Sequence, residues 1–86
     1  MNDLTATEMK VLRFLDESYL EGCWYSRAIA GHAEVSLLAA RRAIKSLVRR
    51  GYVELTRGLF DDDGMIAGSG YNATQAGHEF CTKNTT

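Results

Sequence analysis

The sequence has few of the features that would place it in a membrane or in an oxidising compartment. Only two of its 86 residues are cysteines, Cys23 and Cys81, and they form neither a CxxC pair nor a zinc-ligand pattern. No apolar run approaches the ~20 residues that a membrane-spanning helix needs. No apolar signal segment opens the chain either. We therefore expect a cytoplasmic protein with reduced thiols and no membrane partner.

Catalytic and metal-binding patterns are also missing. The chain has no nucleophile and base at a recognisable spacing and no glycine loop that would cradle a phosphate, and neither His32 nor His78 has a neighbouring ligand set. Asp61-Asp62-Asp63 precedes Gly64, but it lacks the alternating ligands and the distal glutamate of a calcium-binding EF-hand, so a solvated loop is the simpler reading. We predict a protein that is not an enzyme and holds no cofactor or metal ion.

The composition is that of one folded domain, and its charge is unevenly distributed. Hydrophobic residues make up 45% of the chain and charged residues 24%, which is usual for a globular protein. Residues 27–57 contain seven basic and two acidic residues, a balance of +5, whereas the remainder contains three basic and nine acidic residues, a balance of −6. Any attraction to a polyanion must therefore come from a local surface.

The positive charge is densest in residues 36–50, which contain five of the ten basic residues and no acidic one. At 3.6 residues per turn, one side of this segment is apolar and carries Leu37, Ala40, Ile44, Leu47 and Val48. The other side carries Leu38, Arg41, Arg42, Lys45 and Arg49. Ser36 is suited to cap the start and Gly51 to follow the end. We predict an amphipathic helix over about residues 37–50, and charge patterning alone also fits a merely solvated basic face.

Further elements are predicted on both sides of this helix. Thr5 and Glu8 form a capping box that begins a first helix over about residues 6–20. Ser26 is predicted to cap a short second helix over about residues 27–32, with Ile29 and Ala33 turned inward. The preceding apolar link, residues 23–25, is too short to predict as a strand but could pair at the edge of a small sheet.

The C-terminal part of the sequence predicts a hairpin and a last helix. The hairpin spans about residues 52–73, with Tyr52 and Tyr71 predicted to pack across its strands. The helix spans about residues 75–81, is capped by Thr74, and is predicted to bury Ala76 and Phe80.

The order of these elements resembles the winged helix-turn-helix fold. The segments Val35-Ser36, Arg42-Ala43-Ile44 with Leu47, and Gly51-Tyr52-Val53-Glu54 look like the third helix and following strand of bacterial winged-helix regulators. Tyr71-Asn72-Ala73-Thr74-Gln75-Ala76-Gly77 is similar to the Tyr-x-Leu-Thr-x-x-Gly segment of MarR-like and PadR-like transcriptional regulators, with alanine in place of leucine. The resemblance implies a mostly helical α+β fold: a three-helix core, a two- or three-stranded wing and a short C-terminal helix.

The resemblance also implies a sequence-specific DNA-binding protein that regulates transcription. Its third helix would enter the major groove of double-stranded DNA and its wing would meet the adjacent backbone. The positions that carry this function are Ser36, Leu37, Leu38, Arg41, Arg42, Lys45 and Arg57. A homodimer is compatible with it. The alternative is a winged-helix module that binds a protein partner through the wing or the start of the third helix, because two leucines stand where polar residues are common and the wing carries three aspartates.

Overall fold

The computed structural model describes the backbone of residues 4–20, 23–60 and 66–84, and the side chains of residues 4–20, 23–56 and 70–84. Four helices and one antiparallel two-stranded sheet make up the described chain. In order, these are α1 (Ala6–Glu17), α2 (Ser26–Ala33), α3 (Leu37–Arg49), β1 (Val53–Phe60), β2 (Ile66–Ala73) and α4 (Gln75–Asn84). The predicted α+β class, mostly helical, is confirmed.

Helix α1 begins at the predicted capping box and ends earlier than predicted. The Thr5 hydroxyl accepts the Glu8 N–H at 3.1 Å, and the Glu8 carboxylate accepts the Thr5 N–H at 3.0 Å. The helix ends at Glu17 rather than near residue 20. After Glu17 the N–H groups of Ser18 and Tyr19 donate to carbonyls three residues back, at 3.2 and 3.0 Å, and Leu20 then adopts a left-handed φ of 69°, so the α-helical pattern does not continue.

Helices α2 and α3 are joined by a tight turn. Glu34 ends α2 in the left-handed conformation, and Ser36 caps α3 by accepting the Ala39 N–H at 3.1 Å. The prediction that Ser26 caps α2 is wrong, because Ser26 is the first residue of the helix itself. Tyr25 occupies the cap position and makes no side-chain cap hydrogen bond to the described residues.

The core lies where α1, α2 and α3 meet, and its largest fully buried side chains are Leu12, Leu15, Ile29, Leu47, Val11 and Val53. Ile29 and Ala33 face inward on α2 as predicted. Helix α3 buries Ala40, Ala43, Ile44 and Leu47. Val48 was assigned to the same apolar side, but 40% of its surface is exposed. It lies at the edge of that side and lines a cleft between α3 and the sheet.

The sheet is extended at its base by the link between α1 and α2. Strand β1 pairs with β2 in a register that places Leu55 opposite Tyr71. Trp24 then exchanges two backbone hydrogen bonds with Tyr71, at 2.9 and 2.8 Å, so the predicted edge pairing of residues 23–25 is present. The predicted contact between Tyr52 and Tyr71 across the strands is wrong. Tyr52 precedes β1, and its ring packs 4.8 Å from that of Phe80 instead.

Helix α4 is held against the start of β1. The Thr74 hydroxyl accepts the Gly77 N–H at 3.1 Å and donates to the Gly51 carbonyl at 2.6 Å. The helix continues to Asn84, past the predicted end near residue 81. Its buried residues are Gly77 and Cys81, whereas Ala76 is exposed and Phe80 is half-buried. The inward face was misassigned by one residue because a glycine, which has no apolar side chain, makes the closest contact.

Candidate nucleic-acid interface

The outer face of α3 is a narrow basic surface. Its exposed residues Leu38, Arg41, Arg42, Lys45 and Arg49 form what we call the basic face. Because consecutive residues of an α-helix are separated by about 100° around the axis, these five side chains fall within an arc of about 100°. The buried residues of the helix lie on the opposite side. The fold therefore turns four cations away from the core in one direction.

Within residues 4–20, 23–56 and 70–84, no carboxylate forms an ion pair with a cation of the basic face. Among the side chains that the structure describes, the ion pairs join Arg50 to Glu8, at 3.9 Å, and His78 to Asp16, at 2.7 Å. Neither pair includes a residue of the basic face. Its charge is directed to solvent and is available to an anionic partner.

A buried carboxylate fixes α3 from behind. Glu8 is 7% exposed, and besides capping α1 it accepts a hydrogen bond from the Ser46 hydroxyl at 2.6 Å. Burial raises the pKa of the Glu8 carboxyl. The hydrogen bonds from Ser46 and Thr5 and the charge of Arg50 outweigh this effect, so the pKa is lowered overall. Glu8 thus joins the first turn of α1 to the last two turns of α3 as a carboxylate.

The two ends of the basic face differ in their surroundings. At the N-terminal end, Ser36 is exposed and its hydroxyl proton remains able to donate, since the oxygen is the acceptor in the cap. Leu37 is half-buried beside the core rather than on the basic face. Farther along, Arg41 and Lys45 border a cleft of about 540 Å³ whose apolar walls include Val48, Leu55 and Tyr71.

Comparison with solved structures identifies the fold. A protein from Ralstonia eutropha JMP134 with an inferred DNA-binding role superposes with a TM-score of 0.74 and 20% identity, over 96% of this chain and 99% of that one. The multiple antibiotic resistance repressor MarR superposes with a TM-score of 0.71 and 26% identity, over 94% of this chain and 54% of MarR. The adhesin competence repressor AdcR from Streptococcus pyogenes gives 0.73 and 22%, over 96% of this chain and 55% of AdcR. The chain has a winged helix-turn-helix fold.

This winged helix-turn-helix resembles that of MarR-family regulators, as the sequence motifs implied. The chain spans about half the length of MarR and of AdcR, and nearly all of the Ralstonia protein. Neither protein-family models nor curated protein sequences match it. Within this fold, α2 and α3 form the helix-turn-helix, with α3 as its second helix, and β1 with β2 forms the wing.

The wing is described only in part. Arg57, the predicted basic residue of the wing, belongs to β1, but its side chain lies outside the described residues. Asp61-Asp62-Asp63 lies outside them altogether. Of the predicted site residues, the structure places Leu38, Arg41, Arg42 and Lys45 on the basic face and Ser36 at the N-terminal end of α3.

Two contributions to this interface were not among the predicted site residues. Arg49 shares the basic face but is not one of the predicted site residues, although its spacing from Lys45 and Arg42 places it on that side. The Glu8 contact with Ser46 spans 38 positions of sequence, so no local spacing could reveal it.

The surroundings of the cysteines and the lengths of the helices concern two further expectations, reduced thiols and no membrane-spanning segment. Neither Cys23 nor Cys81 forms a disulfide among the described residues, and burial, together with the charge of Asp16, raises the pKa of Cys81 to about 11. The Cys81 thiol is therefore protonated near neutral pH and is a weak nucleophile. Within the described ranges, no helix combines the length and apolar character that crossing a membrane requires.

Proposed function

We propose that this protein binds double-stranded DNA in a sequence-specific manner and regulates transcription, with α3 in the major groove and the wing on the adjacent backbone. The observation that carries the proposal is the basic face, in which four exposed cations share one side of the recognition helix and lack ion-pair partners among the described side chains. The superposition on MarR and AdcR, both named as repressors, supports it. The proposal includes a cytoplasmic location and the absence of enzymatic activity.

The dimensions and chemistry of α3 suit the major groove. A 13-residue helix is about 20 Å long, and the groove, about 12 Å wide, admits an α-helix. Arginine can donate two parallel hydrogen bonds to guanine O6 and N7, whereas lysine acts as a point charge that binds phosphate. We assign base contact to Arg41 and Arg42, with Arg42 as the principal reader, and phosphate contact to Lys45 and Arg49.

The remaining predicted residues are assigned to the edges of the interface. Ser36 is exposed at the N-terminal end of α3, where its hydroxyl can donate to a phosphate. Leu37, half-buried beside it, positions this end of the helix and contacts the sugar-phosphate edge. Arg57 is assigned to the backbone contact of the wing. If the protein acts as a homodimer, its partner surface would be on α1 or α4, because α3 and the wing are occupied by DNA.

The second candidate function is a module that binds a protein rather than DNA. Leu38 favours this protein-binding function. Its side chain is 60% exposed, and an exposed apolar side chain in the middle of a charged face is suited to contact with a protein. The three aspartates between β1 and β2 in the sequence also favour protein binding, because acidic residues repel phosphates.

The test is titration of wild type, Arg42→Ala and Lys45→Ala against duplex DNA at about 50 and about 200 mM salt, because released counterions make phosphate-driven binding weaken with salt. Loss of a phosphate contact at Lys45 should weaken binding to every sequence and make the log–log salt slope shallower by about 0.9. Loss of a base contact at Arg42 should cost about 1–3 kcal/mol on the preferred site and spare random DNA.

The matched control is Lys10→Ala, which removes the same charge from an exposed position on α1. Its salt slope and its affinity on the preferred site should stay close to wild type. The DNA proposal fails if wild type binds no duplex at the lower salt, or if the control loses as much affinity as Lys45→Ala. Failure of the first kind leaves the protein-binding module as the function to pursue.

A further inference from the structure

Leu38 is an apolar residue in the middle of the basic face. It is 60% exposed, and Lys45 lies two turns farther along, about 20° away around the helix axis. Arg41 and Arg42 stand one turn away on either side of it, at the neighbouring positions three and four residues on. Whatever surface α3 contacts therefore meets a leucine side chain between two arginines.

Packing among the described residues leaves most of the Leu38 side chain exposed. Val48, the other exposed large apolar residue of α3, lines the cleft beside Leu55 and Tyr71 and so has apolar neighbours. Leu38 is absent from the described core and from the partly buried residues packed against it. Its exposed side chain is therefore open to an apolar contact with a partner.

The major groove offers one strongly apolar feature on the edges of the natural base pairs. Guanine, adenine and cytosine present hydrogen-bond donors and acceptors there, whereas thymine also presents its C5-methyl group. We propose that Leu38 is a specificity-determining residue that selects thymine by contacting this methyl group. The inference rests on the proposed function, because it requires α3 to lie in the major groove.

The position of Leu38 also predicts where the thymine lies. Leu38 and Arg42 are four residues apart, which is about 6 Å along the helix, and successive base pairs are about 3.4 Å apart. Since Arg42 is the proposed guanine reader, the selected thymine should lie within about two base pairs of that guanine. The preferred DNA site should therefore contain both a thymine, contacted by Leu38, and a nearby guanine, contacted by Arg42.

The experiment removes the methyl group alone. The preferred duplex is first selected from a random pool with wild type, and each of its thymines is then replaced singly by deoxyuridine, which keeps every hydrogen-bonding group of the base. We expect one or two of these replacements to weaken wild-type binding about fourfold, the effect of withdrawing about one methyl-sized group from an apolar contact. Replacements elsewhere should leave the affinity unchanged.

Two variants assign the effect to Leu38. Leu38→Ala should bind the thymine duplex about fourfold more weakly than wild type and should bind thymine and deoxyuridine duplexes equally, since the side chain that contacts the methyl group is gone. Val48→Ala, which shortens the other exposed apolar residue of the same helix, should retain the full deoxyuridine effect. Binding to random DNA should persist in both variants, because their cations are intact.

The outcomes separate this inference from the proposed function. If wild type binds duplex DNA but no deoxyuridine replacement matters, or if Leu38→Ala keeps the deoxyuridine effect, thymine selection by Leu38 is wrong and DNA binding stands. If wild type binds no duplex at all, both the inference and the proposed function fail.

Discussion

At the scale of single residues, Glu8 joins two helices through one side chain. One carboxylate caps α1, accepts the Ser46 hydroxyl and lies 3.9 Å from the Arg50 guanidinium. Its pKa is lowered below the ordinary value of 4.5, despite burial, by these hydrogen bonds and by the charge of Arg50. The folded chain therefore holds the ionised form more strongly than the unfolded chain does.

This shift makes part of the stability depend on pH. Well above pH 4.5 the carboxylate is ionised in both states and its contribution is fully present. As the pH falls towards the lower folded pKa, the unfolded chain takes up the proton first, and the contribution is lost. Glu8→Ala should therefore lower the free energy of unfolding by about 1–3 kcal/mol near pH 7 and by less near pH 3.

Urea denaturation of wild type and variant at the two pH values measures this difference. Glu17→Ala is the control, because Glu17 is an exposed glutamate of the same helix, and its effect should stay within about 0.5 kcal/mol. A Glu8→Ala variant as stable as wild type near pH 7 would show that Glu8 does not hold α3 in place.

At the scale of elements, Gly77 determines how closely α4 approaches the start of β1. A Cβ atom at this position would overlap the Tyr52 carbonyl and lie 3.2 Å from the Leu12 side chain. The carbonyl belongs to backbone that is itself hydrogen-bonded to Thr74, at 3.0 Å, so it cannot move away without breaking the connection that begins α4. Gly77, the glycine of the MarR-like motif, is thus required here because a larger residue would overlap the Tyr52 carbonyl.

Gly77→Ala should lower the free energy of unfolding by about 1–3 kcal/mol, because the added methyl group forces α4 away from the core. Gly31→Ala is the matched control in another helix: nothing lies within 4 Å of its added Cβ. There, the same change should stabilise the protein by about 0.5–1 kcal/mol, the usual helical preference for alanine. Denaturation curves of the two variants should shift in opposite directions, and a shift of both to higher stability would mean that α4 is not docked as described.

How far each element could be predicted depends on how local its causes are. The capping box of α1 and the apolar stripe of α3 involve residues three or four positions apart, and both are found where the sequence places them. The inward face of α4 could not be found in this way, because it is set by contact between Gly77 and Tyr52, which are 25 positions apart. The basic face follows from spacing within α3, whereas its anchoring through Glu8 and Ser46 depends on how α1 packs against α3.

At the scale of the whole molecule, Trp24 connects the parts of the fold. It is the only tryptophan in the sequence. Its indole N–H donates to the Ser18 hydroxyl at 2.9 Å, beyond the end of α1, and its ring lies 5.0 Å from Phe14 and 5.3 Å from His32 of α2. Its backbone pairs with Tyr71 of the wing. A change in any of these parts alters the surroundings of one indole.

We therefore predict that tryptophan emission and far-ultraviolet circular dichroism report one unfolding transition with the same urea midpoint, as expected if the wing base and the helices unfold cooperatively. Ser18→Ala, which removes the hydrogen-bond acceptor of the indole, should alter the native emission while leaving the two midpoints coincident. An emission change at clearly lower urea than the loss of helix would show that the base of the wing detaches first.

The placement of the basic face also affects how the protein would find its target. The cations of the basic face lie on the side of α3 opposite its buried residues, whereas Asp16, Glu17 and Glu79 lie on α1 and α4. A net charge of −1 therefore conceals a segregation of charge along the chain, +5 in residues 27–57 and −6 in the remainder. In the field of DNA such a chain would gain little attraction from its net charge, and the local field of the basic face would turn α3 towards the phosphates. Orientation before contact raises the fraction of encounters that begin in a productive geometry, even for a chain whose total charge has the same sign as that of its target.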